Sequence, residues 1–269
     1  MIHSLLKKLS NKKHNYQTLR KWNFALSGLH FVQAVIVLVL SKSQGWPITT
    51  SYLTNDTVAS QVAGRPVLVP ATQEVFSLNL AYLVVAFFLM SALAHLLIAT
   101  VYRPQYEANL AKGMNKARWI EYSFSASTMM VAIGLLSGIY DISSLLMIFT
   151  LVAVMNLMGL AMEVYNQNNK KIDWLTYVIG CFAGIVPWVV FAIYVTGASI
   201  NGGQVPTFVY YIYGSIFIFF NCFAVNMYLQ YKKKGKWADY LYGERAYMIL
   251  SLVAKTALAW QVFAGTLRP

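Results

Sequence analysis

The sequence has 269 residues, of which 58% are hydrophobic and only 11% charged. Soluble domains carry about a quarter charged residues, so this composition excludes a globular protein with a fully wetted surface. The formal net charge of +12 invites a nucleic-acid reading, but the basic residues sit in short stretches between apolar runs, and no nucleic-acid partner is expected.

Residues 1–21 form a basic segment carrying Lys7, Lys8, Lys12, Lys13, Arg20 and Lys21. It lacks the apolar core and cleavage site of a signal peptide before Trp22, so the first span itself is expected to direct insertion. A helix needs about 20 apolar residues to cross a bilayer. Seven such runs follow, at 22–40, 76–100, 119–139, 142–164, 174–196, 206–231 and 245–267. They predict an all-α membrane protein, a seven-transmembrane-helix bundle occupying 22–269 as one domain. Ser137, Gly138, Tyr140 and Asp141 supply the turn between the third and fourth spans, and Pro187 is expected to kink the fifth. The long loop at 41–75 alternates β-branched residues (Ile48, Thr49, Thr50, then Val67 and Val69) with turn formers, the pattern of a β-hairpin. Cys181 and Cys222 lie inside apolar runs and read as small core residues rather than a disulfide. No Cys and His at ligand spacing suggest a metal, and no enzymatic activity is expected.

Orientation follows from the loops, because Lys and Arg favour the cytoplasmic side. Seventeen basic residues fall on the side of the N-terminus, against Lys42, Arg65 and Arg268 on the other. The N-terminus is therefore expected in the cytoplasm and the C-terminus outside, in a multi-pass protein of the cell membrane surrounded by lipid.

One basic residue belongs to neither side. Lys255 lies about ten residues into the last span, in Ser251-Leu-Val-Ala-Lys255-Thr-Ala. An ionised lysine at that depth costs several kcal/mol and marks a functional site by default. It needs an anionic partner, and Glu121, opening the third span in Arg118-Trp-Ile-Glu121-Tyr122, is the candidate. At 1.5 Å per residue Lys255 lies roughly 13–15 Å below the end of its helix and Glu121 about 4–6 Å below its own. Side chains lean toward the helix N-terminus, which brings the lysine up toward the carboxylate. A buried, desolvated lysine suits Schiff-base chemistry with an aldehyde, and Glu121 would be its counterion. Met129, Met130, Met155, Pro187, Trp188, Phe220 and Phe223 could receive a polyene, although such a lining is ordinarily plain packing. Glu163, near the end of the fourth span, reads as interfacial and structural.

These residues resemble the microbial rhodopsins, and at a finer level the heliorhodopsins. The resemblance is carried by Arg118-Trp-Ile-Glu121-Tyr122-Ser123, Gly180-Cys-Phe-Ala-Gly-Ile-Val-Pro-Trp188, Tyr228-Leu-Gln-Tyr-Lys…Gly235-Lys-Trp237 and Gly243-Glu-Arg-Ala-Tyr…Ser251-Leu-Val-Ala-Lys255. It spans nearly all of 20–267, and the inverted orientation agrees with it. It implies all-trans retinal bound covalently as a protonated Schiff base on Lys255, with Glu121 as counterion. It also implies a pocket of Tyr122, Met130, Met155, Gly184, Pro187, Trp188 and Phe220. Ser251, Ser91, Ser125 and Arg118 would surround the Schiff base, and His30 and His95 would join Ser91 in a cytoplasmic-side polar cluster. A slow photocycle, a homodimer, an unidentified signalling partner and light sensing without ion pumping complete the expectation.

Proton pumps of the wider family place further carboxylates four residues before the lysine and eleven past the counterion. Here those positions are Ser251 and Ala132, and the residue four after Glu121 is Ser125. A light-sensing photoreceptor is therefore the primary reading. A light-gated ion channel or transporter is the alternative, followed by a retinal-free membrane scaffold.

Overall fold

The computed structural model describes the backbone of residues 2–268 and the side chains of residues 15–268. The side chains of Lys7, Lys8, Lys12 and Lys13 in the expected basic segment lie outside that range. The chain opens with α1 (Ile2–Leu40), which begins well before its apolar part. No Gly or Pro interrupts 2–22, so nothing stops the helix from continuing past its membrane span, Asn15–Leu40. Among the described residues six further helices are long and apolar enough to cross a membrane: α3 (Leu80–Ala99), α5 (Lys116–Leu136), α6 (Ile142–Tyr165), α7 (Leu175–Ile200), α8 (Thr207–Tyr231) and α9 (Tyr240–Val262), the last continued by one π turn to Leu267. The chain is a multi-pass membrane protein with a seven-helix bundle.

Between α1 and α3 the chain builds an antiparallel hairpin, β1 (Gly45–Asn55) and β2 (Leu68–Asn79), capped by the short helix α2 (Thr57–Ala63). The pairing runs from Gly45 opposite Asn79 to Asn55 opposite Leu68, with an irregularity between Ile48 and Thr49. There the hairpin turns onto the bundle. Thr49 donates its amide to the Tyr140 carbonyl at 2.9 Å, and Ile48 is fully buried. The adjoining α5–α6 turn passes through Gly138 at φ +92°, a conformation only glycine adopts without strain. Asp141 then caps α6 by accepting from the Ser144 amide at 2.9 Å.

At the other, lysine-rich end lies α4 (Arg103–Ala111), a nine-residue helix that hydropathy did not reveal. Pro104 starts it, and Tyr106 and Leu110, one turn apart, bury its inner face against Leu19, Leu26, Ile98 and Met248. The helix is too short and too polar to register as a span.

Helices α1, α3, α5, α6 and α7 pack in sequence, and α8 packs on α9. Between α7 and α8 the link is made by side chains: the Tyr213 hydroxyl donates to the Trp188 carbonyl at 2.9 Å, and Tyr177 to the Ala224 carbonyl at 3.1 Å. Trp188 stands edge-on to Phe191, Tyr213, Phe217 and Phe220. Helix α7 runs unbroken through the expected kink site, Pro187.

Candidate chromophore site

α9 carries Lys255 into the centre of the bundle, where it is 3% exposed. Its Nζ donates to Glu121 Oε1 on α5 at 3.0 Å and to Ser251 Oγ, one turn earlier on α9, at 2.8 Å. Ser91 on α3 donates to the same Glu121 oxygen at 2.6 Å. Ser125, one turn after Glu121 on α5, is fully buried, and its hydroxyl has no hydrogen-bond partner. The ammonium also lies 5.1 Å from the centre of the Tyr122 ring. A buried ion pair holds only when further hydrogen bonds satisfy its remaining groups, and Ser91 and Ser251 supply them. Three helices distant in the chain, α3, α5 and α9, thus converge on one ion pair.

From Lys255 an apolar pocket runs between α5, α6, α7, α8 and α9. Tyr122, Met130, Met155, Gly184, Trp188 and Phe220 all line it. Pro187 is buried in α7 beside Trp188 and is not on the wall. Gly184 is needed for the shape of the wall: a Cβ there would stand 2.5 Å from Met155 Sδ. An elongated cradle of Met and aromatic side chains, closed at one end by a lysine with a carboxylate, fits a polyene aldehyde attached as an imine. The pocket's side faces the gap between α7 and α8. There it is lined by Cys181 and Asn221, both exposed. Cys181 is therefore not the buried core residue its apolar context suggested, since it sits at the outer edge of a helix that faces away from the bundle; Cys222 is half-buried, and both thiols are free.

On the opposite side of Glu121, toward the lysine-rich end, lies a small cluster of polar side chains. His30 on α1 is fully buried with neither ring nitrogen hydrogen-bonded, and it stacks on His95 of α3, with centroids 5.8 Å apart and planes 9° from parallel. His95 Nδ1 meets Asn23 Oδ1 at 2.7 Å. Asn23 escaped the sequence reading. Its spacing was the available signal, because Asn23, Ser27 and His30 lie four and three residues apart, on one helix face.

Arg118 does not belong to the lysine's surroundings. One turn before Glu121 it points toward the helix ends, where it pairs with Glu163 of α6 at 2.5 Å and with Glu244 of α9. Asn115 donates its amide to Glu163 at 2.7 Å and its side chain to Glu244 at 2.5 Å. Tyr240 adds a bond to Glu163 at 3.0 Å and Tyr106 one to Glu244 at 3.3 Å. The guanidinium also lies over the Tyr247 ring at 3.9 Å. Glu163 is 2% exposed, so it is a buried ion-pair partner rather than an interfacial residue. Its three donors come from α5 and α9, which no local pattern in α6 announces.

No curated protein sequence matches the chain. Among solved structures, a light-driven proton pump from Leptosphaeria maculans is similar, with a TM-score of 0.62 at 16% identity, over 91% of this chain and 94% of that one. At that identity the likeness concerns the fold, which is that of a microbial rhodopsin. The profile of the heliorhodopsin family matches residues 19–267. A retinal chromophore held as a Schiff base is what that family implies, and the lysine, carboxylate and apolar cradle fit it. The chain belongs to the heliorhodopsin family of retinal photoreceptors.

Proposed function

We propose that the protein is a light sensor that moves protons within one half of the membrane and transports none across it. Lys255 is the attachment point, Glu121 its sole carboxylate counterion, and all-trans retinal in protonated linkage the resting form. When bound, retinal supplies light absorption and a double-bond isomerisation. The protein's residues do the rest. Glu121, held by Ser91, balances the positive charge on the Lys255 nitrogen, and Ser251 fixes that nitrogen's direction. Moving the nitrogen from 3.0 Å to about 6 Å from this carboxylate halves their Coulomb attraction, which weakens the nitrogen's hold on its proton, and the proton leaves toward Glu121 and the His30–His95 pair.

One observation carries the absence of transport. On the hairpin side of Lys255, no described residue within the seven spans is Asp, Glu, His, Lys or Arg. A pump must refill the nitrogen from the face opposite its release. Here the groups able to return a proton all lie on the side that received it. The cycle ends where it began, and it is slow because a conformational return rather than a relay limits it.

The excess of Lys and Arg in the loops on the N-terminal side supports an orientation with the His30–His95 pair toward the cytoplasm and the N-terminus inside. A homodimer and a cytoplasmic signalling partner are the remaining parts of this reading. Its test is illumination of cells in weakly buffered medium alongside flash spectroscopy of the purified pigment. Light should change the visible spectrum slowly and reversibly, with no pH change beyond a retinal-free control. A sustained, uncoupler-sensitive acidification or alkalinisation would overturn it.

A further inference from the structure

Asn23 is 1% exposed in the middle of an apolar helix, and a side-chain amide in that setting stays only if its groups are hydrogen-bonded. Its Nδ2 donates to the Leu19 carbonyl at 2.8 Å. A backbone carbonyl can only accept, so the amide nitrogen must face Leu19 and the amide oxygen must face His95. The oxygen too can only accept. The atom it meets at 2.7 Å, His95 Nδ1, must therefore carry a hydrogen. A neutral imidazole has one N–H, which leaves His95 Nε2 as the nitrogen with the free lone pair.

The Tyr106 hydroxyl of α4 donates to Glu244 Oε1 at 3.3 Å. Burial pushes that hydroxyl well above its ordinary value, so it stays protonated and stays a donor. Tyr106 thereby ties α4 to the Arg118–Glu163–Glu244 cluster. The groups facing His95 are His30, which stacks on it, Asn23, and the charges of Glu121 and Lys255.

We propose that Asn23 is a positioning residue that fixes His95 as its Nδ1–H tautomer and so makes Nε2 the atom that takes the proton in the light. The proton leaving the Lys255–Glu121 pair bonds to the Nε2 lone pair, and Nδ1 keeps its own; the ring becomes an imidazolium and nothing else is consumed. In that state the Nδ1–H···Oδ1 bond has a charged donor and strengthens, so Asn23 stabilises the product more than the reactant. The inference rests on the proposed proton movement toward the His30–His95 pair.

The experiment is solid-state nitrogen NMR of histidine-labelled, retinal-loaded protein in lipid, with the His95 signals assigned by their loss in His95→Asn. In the dark Nδ1 should be protonated and Nε2 unprotonated. Asn23→Leu should abolish that preference and lower the light-induced protonation of His95 on the order of tenfold, as expected for one hydrogen bond to a charged group. Asn23→Asp, which keeps an acceptor in place, should restore both. Tyr106→Phe should keep the tautomer, because Leu19 still orients the amide. An Nε2–H tautomer in the native dark state would overturn the proposal, whether or not any variant folds. So would Asn23→Leu with native tautomer and native proton uptake. The visible band of each sample separates this from the parent reading: native protein without colour refutes the retinal site, not the tautomer.

Discussion

Arg118→Met is the substitution whose effect the structure defines most closely. It removes the one cation shared by Glu163 and Glu244, both 2% exposed. Methionine fills much of the same volume, so the change tests charge rather than packing. Removing one partner of a buried ion pair costs about 3–5 kcal/mol, chiefly from the charge left behind. Here two carboxylates are left behind, which puts the loss at the upper end, about 5 kcal/mol. A chain of 150–250 residues loses about 2–4 °C in Tm per kcal/mol, so the melting point should fall by about 10 °C or more. The assay is intrinsic-fluorescence melting in detergent. The triple variant Arg118→Met, Glu163→Gln, Glu244→Gln removes the stranded charges together and should recover most of the loss, since neutral amides cost far less to bury. Two results would refute the reasoning. One is a single variant that melts within about 2 °C of the native protein. The other is a triple variant no more stable than the single.

Three further outcomes follow from the site. Glu121→Gln should move the visible band to longer wavelength, because the anion 3.0 Å from Lys255 Nζ no longer localises the positive charge in the dark; an unchanged absorption spectrum would remove Glu121 as counterion. Gly184→Val should cut the yield of coloured protein severalfold at constant expression, since its Cβ already meets Met155 Sδ and the branches cannot also fit. Adding Met155→Ala should restore part of that yield, and full colour in Gly184→Val alone would mean that this wall does not touch the chromophore.

The bundle was legible in the sequence because each span must be apolar over its whole length, which composition alone reports. Lys255 and Glu121 were legible for the complementary reason, that a charge in an apolar helix has no bland explanation. α4 left no such trace. Its inner face is two residues, Tyr106 and Leu110, in a helix of nine that includes Arg103, Gln105, Glu107 and Asn109. The Arg118 cluster was hidden differently: its members lie 45 and 126 positions apart and near helix ends. There a charge ordinarily faces water, so burial could be learned only from how α5, α6 and α9 meet. For the same reason Arg118 was placed with the lysine, one turn from Glu121 in sequence but turned away from it in space.

The account stands on a retinal linkage at one nitrogen. Purified protein mixed with all-trans retinal should develop a visible band, and Lys255→Ala should develop none although it folds and keeps the same amount of protein. Lys255→Arg should also stay colourless, since a guanidinium keeps the charge beside Glu121 but forms no imine. A native protein that remains colourless with retinal, or a visible band that survives Lys255→Ala, would contradict it.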